Sequence, residues 1–466
     1  MPSQLISGIE INEDFKKAID FLENEEIRTV FLTGKAGTGK STLLRHYIDN
    51  SNKNVAVLAP TGVSALNVQG QTIHSFFKFK PTTTVSKIRS QKKPTQKMRE
   101  LLHRLDMIIV DEVSMVRADL LDLVDESMRK NLNSPLPFGG KKMVFIGDLF
   151  QLPPVVSTQS EKELFRSFYE SPYFFDAKVM ENLLLKIVEL QKVYRQHEGD
   201  FIDILNKIRN NTVEDLDLEI LNERSRIQEN EIDPDKFYIT LTTTNAAADR
   251  INQIKLNSIS GEQRSYLATV EGKFDFKHYP TAENLSVKKD SQVMLLNNDP
   301  MGRWVNGTVG KITDIYYDEA LSMDVLEIKD NDGKYITVSP HTWEIFAYTI
   351  KKETGKIDAE KIGSFTQYPI RLAWAVTIHK SQGKTFDNVI VDIGFGAFAQ
   401  GQVYVAISRA TNLNGLLLKR PIQKRHIWTD QRIIDFLEKN TDKSNDRTAG
   451  KLKTFKAEIE EKISIS

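Results

Sequence analysis

The chain lacks cysteine, a long apolar run and an excess of charge of either sign. Without cysteine it has no disulfide framework, no thiolate metal site and no cysteine nucleophile, and a reducing cytoplasm is the natural compartment. Without a run of about 18 to 20 apolar residues it has no candidate membrane span. Residues 1–14 include acids and lack a basic start followed by an apolar stretch, so they predict neither a secretory nor an organellar signal. We therefore expect a cytoplasmic protein that does not insert into membranes.

The neutral charge balance, 63 Lys and Arg against 63 Asp and Glu, removes one common sign of a nucleic-acid binder. A neutral protein can still bind a strand by concentrating its positive groups in one groove, so composition does not exclude this function. The 466 residues are enough for two to four domains of ordinary size. Motifs, rather than composition, must therefore indicate what the protein does.

Short β-branched runs alternate with helical stretches, a pattern typical of doubly wound α/β domains. The candidate strands of the first half are Thr29–Thr33, Val55–Ala59, Met107–Val110 and Met143–Ile146. Each is apolar on both faces, as expected when helices cover both sides of a parallel sheet. Each is followed by polar or glycine-rich residues, and ligands of open α/β sheets lie at these carboxyl ends.

A second α/β block is predicted to begin near Glu181 and to contain the strands Phe237–Leu241 and Val389–Val391. Within it, short strands separated by Asn306–Gly307 and Asp332–Gly333 turns predict a β-rich insertion. The inserted strands are predicted at Val293–Leu296, Val309–Ile315, Leu326–Ile328 and Tyr335–Val338. The predicted divisions are a first lobe at 1–180, a second lobe at 181–252 and 362–435, an inserted β-rich module at 253–361 and a charged C-terminal tail at 436–466.

The segment Gly34–Ser41 reads GKAGTGKS, which fits G-x-x-x-x-G-K-[ST], and it directly follows a predicted strand. Its glycines let the backbone wrap around phosphate oxygens, and the N–H groups at the start of the next helix point inward. Lys40 would reach the β- and γ-phosphates, and the Ser41 hydroxyl would complete a Mg²⁺ shell. The predicted nucleotide-binding residues of this segment are Gly34, Ala36, Gly37, Thr38, Gly39, Lys40, Ser41 and Thr42.

Polar residues that suit phosphate chemistry follow two later strands. Asp111 and Glu112 come directly after Met107–Val110, where an acid holds Mg²⁺ and its neighbour deprotonates the attacking water. Taken alone the pair would be two solvated acids, but it follows a phosphate loop in the expected order. We therefore assign Asp111 to the metal and Glu112 to the base. Gln151, in Gly147–Pro154, has a carboxamide that can sense the γ-phosphate and position water. Together these motifs predict hydrolysis of a nucleoside triphosphate.

Two arginines of the second block are candidates for the stabilisation of transferred phosphate. Arg195 follows Tyr194, and Arg409 lies in Val405–Ala410. An arginine from a neighbouring lobe can stabilise the charge that develops on the equatorial phosphate oxygens. If both face the γ-phosphate across a cleft, nucleotide controls the closure of the lobes. The alternative is a pair of surface arginines in ordinary ion pairs, and a switch, a clamp or a small-molecule kinase would share all the preceding motifs.

The motifs occur in the order found in the petite-integration-frequency (Pif) family of superfamily 1 helicases, relatives of the RecD-type motors, and the chain resembles that family from about residue 10 to 425. The motifs that carry the resemblance are Gly34–Ser41, Ala59–Gly62, Gln71–Phe76, Asp111–Glu112, Gly147–Pro154, Thr377–Gly383 and Val405–Thr411. Pro137–Gly140 also resembles the end of a signature segment that separates this family from its RecD relatives. The combination is far more specific than any single motif.

The resemblance implies an α/β fold of two RecA-like P-loop motor lobes, with an inserted small β-barrel of the Src-homology type. It implies ATP and Mg²⁺ as cofactors and 5′→3′ movement along single-stranded DNA with unwinding of duplex. Forks, RNA–DNA hybrids and G-quadruplexes are further family substrates, and duplex junctions are the expected partners. A small strand-separating insertion is expected at about 66–90. We expect a monomer, associated with the nucleoid if the source is bacterial.

The family motifs also place contacts with the DNA strand. Hydroxyl, amide and imidazole groups at these positions can bind phosphate or sugar without reading sequence. The matching residues are Thr61, His74, Ser75 and Phe76 in the first lobe, Thr243 and Asn245 in the second, and His379, Lys380 and Gln382 in the motif that couples DNA to the nucleotide cleft, where Gly383 is expected beside the nucleotide. Phe76, with its neighbour Phe77, is suited equally to stacking on a base and to packing in a core.

One position departs from the family pattern. Phe15 stands where many of these motors carry a glutamine that recognises adenine, so we expect acceptance of several triphosphates. Two alternative functions stay open. A RecD-like subunit of a larger complex is disfavoured by the Pro137–Gly140 segment, whereas a DNA-stimulated ATPase that remodels nucleoprotein without separating strands has the same motifs.

Overall fold

The structure is a computed structural model that describes residues 5–6, 9–10, 12–80, 83–90, 95–196, 199–227, 236–350, 357–394, 396–397 and 399–441. Two parallel sheets form the two lobes, and antiparallel sheets form an insertion in the second lobe. None of the helices in these ranges combines the length and the apolar character that crossing a bilayer requires.

The first lobe is built on a six-stranded parallel sheet with the order β5-β4-β6-β7-β3-β8. A two-residue pair, β1 (Leu5–Ile6) and β2 (Ile9–Glu10), precedes it. The sheet strands are β3 (Thr29–Gly34), β4 (Val55–Ala59), β5 (Gln71–Thr72), β6 (Met107–Val110), β7 (Lys142–Ile146) and β8 (Leu185–Leu190). Every residue of β3, β6 and β7 is buried, as expected for strands covered on both faces. The four strands predicted for this region are confirmed to within one residue at each end.

Helices cover both faces of this sheet. They are α1 (Glu13–Glu23), α2 (Lys40–Asn50), α3 (Gly62–Asn67), α4 (Ile73–Phe77), α5 (Val85–Ser90), α6 (Gln96–Arg104), α7 (Ala118–Leu132) and α8 (Gln159–Phe168). Short 3₁₀ turns lie at Val113–Met115, Pro137–Gly140, Phe174–Asp176 and Lys178–Asn182. The Pro137–Gly140 turn is fastened to α7, because the Phe138 N–H donates to the Asp125 carboxylate at 2.6 Å.

The predicted boundary between the lobes at residue 181 is wrong. Strand β8 pairs in parallel with β3 along its full length, from Thr29↔Leu185 to Gly34↔Leu190. The first sheet therefore continues to residue 190. Hydrophobic patterning did not reveal this, because β8 lies at the sheet edge and alternates partly exposed and buried residues.

The second lobe has a four-stranded parallel sheet with the order β20-β9-β21-β22. Its strands are β9 (Ile239–Thr242), β20 (Ala375–Thr377), β21 (Val389–Asp392) and β22 (Leu416–Leu418). Its helices are α9 (Gly199–Asn210), α10 (Asp215–Glu223), α11 (Asn245–Ser258) and α12 (Gln402–Ile407), with a 3₁₀ turn at Lys424–His426. The predicted strands of this lobe are thus confirmed as β9, which begins two residues later than expected, and β21.

The insertion consists of antiparallel sheets of five (β16-β15-β14-β13-β19), three (β11-β18-β17) and two (β10-β12) strands. Its elements are β10 (Arg264–Leu267), β11 (Thr269–Gly272), β12 (Asn284–Val287), β13 (Gln292–Leu295), β14 (Val309–Asp318), β15 (Met323–Asp330), β16 (Tyr335–Val338), β17 (His341–Ile350), β18 (Ile357–Gln367), β19 (Ile370–Leu372) and a 3₁₀ turn at Phe276–His278. The four strands predicted here are confirmed. The predicted limits 253–361 are wrong at both ends, because α11 runs to Ser258 and the paired strands β18 and β19 continue past residue 361.

The insertion packs against the first lobe through β17. The Val57 N–H donates to the Tyr348 hydroxyl at 3.0 Å, and the Gln71 amide donates to the Phe346 carbonyl. The ring of Tyr348 lies edge-on to Phe76, with 5.9 Å between centroids. The segment expected to form an insertion at 66–90 contributes an edge strand, β5, to the main sheet of the first lobe.

The last described helix, α13 (Gln431–Thr441), returns to the first lobe. The Phe436 ring stacks on Phe175, with centroids 4.3 Å apart, and also contacts Phe31 and Phe174. The predicted start of a tail at residue 436 is wrong, because α13 continues to Thr441 and packs on the first lobe. In the sequence, the end of an amphipathic helix with few apolar residues resembles a polar tail. Residues 442–466 of the predicted tail lie outside the described residues.

Candidate nucleotide cleft and strand-contacting face

The phosphate loop joins the end of β3 to the start of α2. Gly37 and Gly39 have φ values of +80° and +83°, in the left-handed region that glycine adopts without strain. A Cβ at Gly37 would overlap the Cβ of Arg195, so the loop accepts the second-lobe arginine only because this residue is glycine. The Tyr194 N–H also donates to the Gly37 carbonyl at 2.9 Å. The loop is thus in direct contact with the segment that carries Arg195.

The Lys40 ammonium donates to the carbonyls of Gly34 and Lys35, at 2.7 and 3.0 Å. Burial lowers the pKa of Lys40, while the nearby carboxylates of Asp148 and Glu112 raise it. The lysine is therefore held at the loop by neutral acceptors, and a phosphate would supply the negative charge that these acceptors lack.

The other predicted loop residues occupy two environments. The Ala36 N–H donates to the Tyr404 hydroxyl of α12 at 3.0 Å, and the buried Thr38 hydroxyl donates to the Lys35 carbonyl at 3.0 Å. Ser41 and Thr42 are exposed in the first turn of α2. A hydroxyl there is free to face a cation or a phosphate, as the motif predicts.

Asp111 and Glu112 lie directly after β6, as predicted. Burial raises the pKa of Asp111 to about 6, and burial together with Asp111 raises the pKa of Glu112 to about 7. Glu112 has φ +50°, an uncommon conformation for a non-glycine residue that is often found at functional sites. A buried carboxylate that is costly to ionise alone is stabilised by a cation, so Asp111 and the exposed Ser41 hydroxyl fit Mg²⁺.

Gln151 contacts the second lobe. Its carbonyl oxygen accepts a hydrogen bond from the Gln382 amide at 3.1 Å, and the same amide lies 3.5 Å from the Glu112 carboxylate. The structure therefore brings together the predicted base, the predicted phosphate sensor and a residue of the DNA-coupling motif.

Both predicted arginines reach this cleft, and neither forms an ion pair among the described residues. Arg195 donates to the Gly383 carbonyl at 3.3 Å, which places Gly383 beside the cleft. Arg409 is 1% exposed and donates to the carbonyls of Val405, Ser381 and Lys384. Burial, and then the charge of Arg195, lower the pKa of Arg409 to about 9. The structure therefore contradicts the alternative that Arg195 and Arg409 are surface arginines in ordinary ion pairs.

Sequence reasoning missed a buried ion pair behind this cleft. Arg209, at the end of α9, lies 3.3 Å from the Asp148 carboxylate, and its guanidinium is 4.0 Å from the ring centroid of Phe150. The Asp148 carboxylate also accepts from the Phe150 N–H at 3.2 Å, so it holds the turn that presents Gln151. Asp148 was within a recognised motif, but Arg209 carries no local signal, because an arginine at the end of an amphipathic helix is usually solvated.

Two further residues were missed. The buried Gln196 amide donates to the Ser408 and Ala410 carbonyls at 3.1 and 3.3 Å and thereby supports the chain on both sides of Arg409. Tyr404, which contacts the phosphate loop, lies on α12 directly before the arginine motif. Gln196 follows Arg195 in sequence, and this adjacency was the only available signal.

The predicted strand contacts lie on loops and helix starts. Thr61 caps α3 by accepting from the Ser64 N–H, and His74 and Ser75 are exposed on α4. Thr243 and the exposed Asn245 follow β9, whereas His379 and the exposed Lys380 follow β20. These two strands are neighbours, and the Ile378 N–H donates to the Thr242 carbonyl at 2.9 Å, so both segments leave the same sheet edge. Burial lowers the pKa of the half-buried His379.

Phe76 is a correction to the predicted strand contacts. It is 4% exposed and packs edge-on against Phe77 and Tyr348. A ring enclosed in this way cannot stack on a base, so the structure supports core packing.

Phe15, at the position expected for an adenine-recognising glutamine, is also buried. A Cβ at Gly39 would lie 3.1 Å from its ring, so Phe15 packs directly beside the phosphate loop. The Asn12 side chain accepts from the Phe15 N–H at 2.8 Å and donates to the Tyr194 hydroxyl at 3.3 Å. An apolar ring offers no hydrogen bonds to an adenine edge.

Comparisons with known proteins identify the family of the chain. Residues 9–219 match the family model described as PIF1-like helicase, and residues 372–417 match that of the UvrD-like helicase C-terminal domain. The chain is 31% identical over 446 residues to the ATP-dependent DNA helicase Pif1 of Bdellovibrio bacteriovorus, and the match covers 92% of both chains.

Two solved structures of Pif1 from Bacteroides are similar to the whole fold. The complex of Bacteroides sp Pif1 with ADP-AlF4 has a TM-score of 0.84 at 36% identity, covering 94% of this chain and 98% of that chain. Bacteroides Pif1 bound to ssDNA has a TM-score of 0.66 at 37% identity, with the same coverage.

Proposed function

The chain belongs to the PIF1-like helicase family, and from this premise we propose that it is an ATP-dependent DNA helicase that moves 5′→3′ on single strands and unwinds duplex DNA. The observation that carries the proposal is the hydrogen bond from Gln382 to Gln151, 3.1 Å long. It joins the predicted phosphate sensor of the first lobe to the second-lobe motif that also bears His379 and Lys380. Binding or movement of the DNA strand can therefore affect the γ-phosphate through the side-chain amide of Gln382.

Hydrolysis uses the buried groups of the cleft. Lys40 exchanges its loop carbonyls for the β- and γ-phosphates, and Glu112 accepts the proton of the attacking water. Ser41 and Asp111 would hold Mg²⁺, which would supply positive charge beside the phosphate oxygens. Gln151 orients the water, because its amide is fixed between the Asp148 turn and Gln382.

Closure of the lobes follows from the unpaired arginines. Arg195 and Arg409 are two cations of the second lobe that form no ion pair among the described residues, and burial and then the charge of Arg195 lower the pKa of Arg409. The γ-phosphate of ATP, held by the phosphate loop of the first lobe, supplies an anion for both arginines and draws the two lobes together, and loss of phosphate removes this attraction. Alternating closure and opening, with strand contacts on both lobes, gives directed movement.

Several finer features belong to the same proposal. The strand is bound through its phosphates and sugars, and Gln382 couples it to the cleft. The residues that bind the strand are Thr61, His74, Ser75, Thr243, Asn245, His379 and Lys380. By the family resemblance, the inserted β-rich module is a small barrel of the Src-homology type that covers the strand opposite the first lobe. The protein works as a monomer at duplex junctions, forks, RNA–DNA hybrids and G-quadruplexes, and segment 66–90 separates strands. It acts in the cytoplasm, at the nucleoid of a bacterial source, and accepts several triphosphates because Phe15 replaces the adenine-recognising group.

The test is the ATPase rate with and without single-stranded DNA, followed by unwinding of duplexes with a 5′ or a 3′ tail. We expect strong stimulation and unwinding of only the 5′-tailed duplex. Unwinding of only the 3′-tailed duplex would reverse the proposed polarity, and stimulation without any unwinding would favour an ATPase that remodels nucleoprotein. Absence of stimulation would refute the helicase assignment.

A further inference from the structure

One hydrogen-bonded chain connects all three units of the fold. Asn306, in the turn between β13 and β14, accepts a hydrogen bond from the Lys384 ammonium of the second lobe. Its amide also lies 3.4 Å from the side-chain oxygen of Asn67, at the end of α3 in the first lobe. First lobe, insertion and second lobe therefore meet at the side chain of Asn306.

Lys384 is poorly neutralised at this junction. Its acceptor is an uncharged carboxamide, and no acid forms an ion pair with it in the described ranges. Burial, and then the charge of Arg371, lower its pKa to about 7. The stem of the side chain is enclosed, since a Cβ at Gly307 would lie 3.6 Å from the Lys384 Cβ. A lysine held in this way is stabilised by an anion far better than by an amide.

Two further cations interact with the same region. Arg371, on β19, donates to the Pro280 carbonyl, and its buried Nε has no hydrogen-bond partner among the described residues. Partial burial, and then the charge of Arg371, lower the pKa of Lys380, and Asp249 is the acid that opposes this shift. Arg371 thus acts on both lysines, whereas Asp249 opposes only Arg371 and Lys380, and this excess of positive charge favours a negatively charged ligand.

The junction lies among the segments expected to touch DNA. Asn67 ends the helix that Thr61 caps, and Lys384 lies four residues after Lys380. His278 of the insertion packs directly over Gly62 in the same helix, where an added Cβ would overlap its ring. Lys384, which is joined to Asn67 through Asn306, therefore lies between α3 and the DNA-coupling motif.

We propose that Lys384, Arg371 and Lys380 form a binding site for a backbone phosphate of the single strand, and that Asn306 provides the acceptor that the phosphate replaces. The inference rests on the proposed function, since the strand supplies the phosphate. Entry of the strand then breaks the link from Asn306 to Lys384 and frees the insertion from the second lobe at this point.

The test is the salt dependence of binding to fluorescein-labelled oligo-dT, measured by anisotropy without nucleotide. Lys384→Gln and Asn306→Asp each make the net charge one unit more negative, and the carboxylate introduced by Asn306→Asp would compete with phosphate for Lys384. We expect both to weaken binding about tenfold at low salt and to reduce the slope of log affinity against log salt by about 0.7, the value for one lost contact to a single strand.

The matched control is Lys361→Gln, which makes the same change of charge at an exposed lysine paired with Glu344. We expect its slope to equal that of the wild type. Unchanged slopes for Lys384→Gln and Asn306→Asp, both folded by circular dichroism, would overturn the inference while strand binding by the wild type upholds the proposed function. A loss of ATP affinity in Lys384→Gln without loss of strand binding would assign the phosphate to the nucleotide and also overturn it. A wild type that does not bind oligo-dT would refute the proposed function itself.

Discussion

The candidate nucleotide cleft and the proposed strand-contacting face are built in opposite ways. In the cleft, the side chains of Asp111, Gln151 and Arg409 are at least nine-tenths buried. Hydrogen bonds hold the side chains of Gln151 and Arg409 in place. On the strand-contacting face, His74, Ser75, Asn245 and Lys380 are exposed. Stabilisation of a developing charge requires fixed groups that water does not screen. Contacts with a moving strand must break in every cycle, so weak, solvated groups suit them.

The largest expected effect is at the centre of the cleft. Lys40→Ala removes the cation predicted to bind the transferred phosphate, and we expect hydrolysis to fall by about 10³-fold or more. Strand binding should stay within about twofold, because the Lys40 ammonium donates to carbonyls of its own loop and not to the strand face. The measurements are steady-state ATPase and oligo-dT anisotropy on one preparation. A folded variant that loses both activities would show that the two regions are not separable.

Arg409→Ala tests whether the arginine acts in the transition state. We expect kcat to fall about 10³-fold, since a transition-state arginine contributes about 10³ to 10⁵ in rate. The affinity for ATP should fall much less, because Arg409 donates to carbonyls of its own lobe before the phosphate arrives. Rate and nucleotide-binding titrations give the two values. Equal losses in both would make Arg409 a binding residue only.

Arg209→Met tests the buried ion pair behind the cleft. It leaves the Asp148 carboxylate without its cation, and breaking a buried pair costs about 3–5 kcal/mol of unfolding free energy. The double variant Arg209→Met with Asp148→Asn should regain part of this loss, because the only carboxylate that then lacks Arg209 among the described residues is the partly exposed Glu189. Denaturant unfolding measures both, and DNA stimulation of the ATPase measures the positioning of Gln151.

The control for this pair is Arg224→Met. The guanidinium of Arg224 donates to the Leu416 and Asn414 carbonyls within the second lobe, away from the cleft. The Arg224→Met variant should lower the free energy of unfolding, while the ratio of DNA-stimulated to basal ATPase stays at the wild-type value. If Arg209→Met also leaves that ratio unchanged, Arg209 has only a structural role.

The smallest effect is expected on the strand face. Asn245→Ala removes one exposed amide, and we expect strand affinity to fall about two- to fivefold with the basal ATPase unaffected, because a solvated hydrogen bond contributes about 1 kcal/mol or less. The measurement is oligo-dT anisotropy. A loss of a hundredfold or more would contradict the comparison, since a weak and solvated contact cannot supply it.

The separate failures of the sequence predictions share one cause. The boundary at residue 181, the upper limit of the insertion and the start of the tail were misplaced where an element pairs or packs with a partner distant in sequence. Phe76 was left undecided because the same residue suits a core and a stacking surface. Its position opposite Tyr348, which belongs to the insertion and lies far along the chain, decided the matter.

The sequence by itself determined the family, six of the parallel strands of the two lobes and the position of the phosphate loop. Strands buried on both faces, the glycine spacing of the loop and the acids after β6 are all properties of adjacent residues, so they can be read in order. The tertiary structure alone decided that Arg195 lies against Gly37, that Arg209 pairs with Asp148, and that Asn306 meets Asn67 and Lys384. These contacts join segments that are remote along the chain, and only the docking of the lobes and the insertion brings their charges close enough to interact.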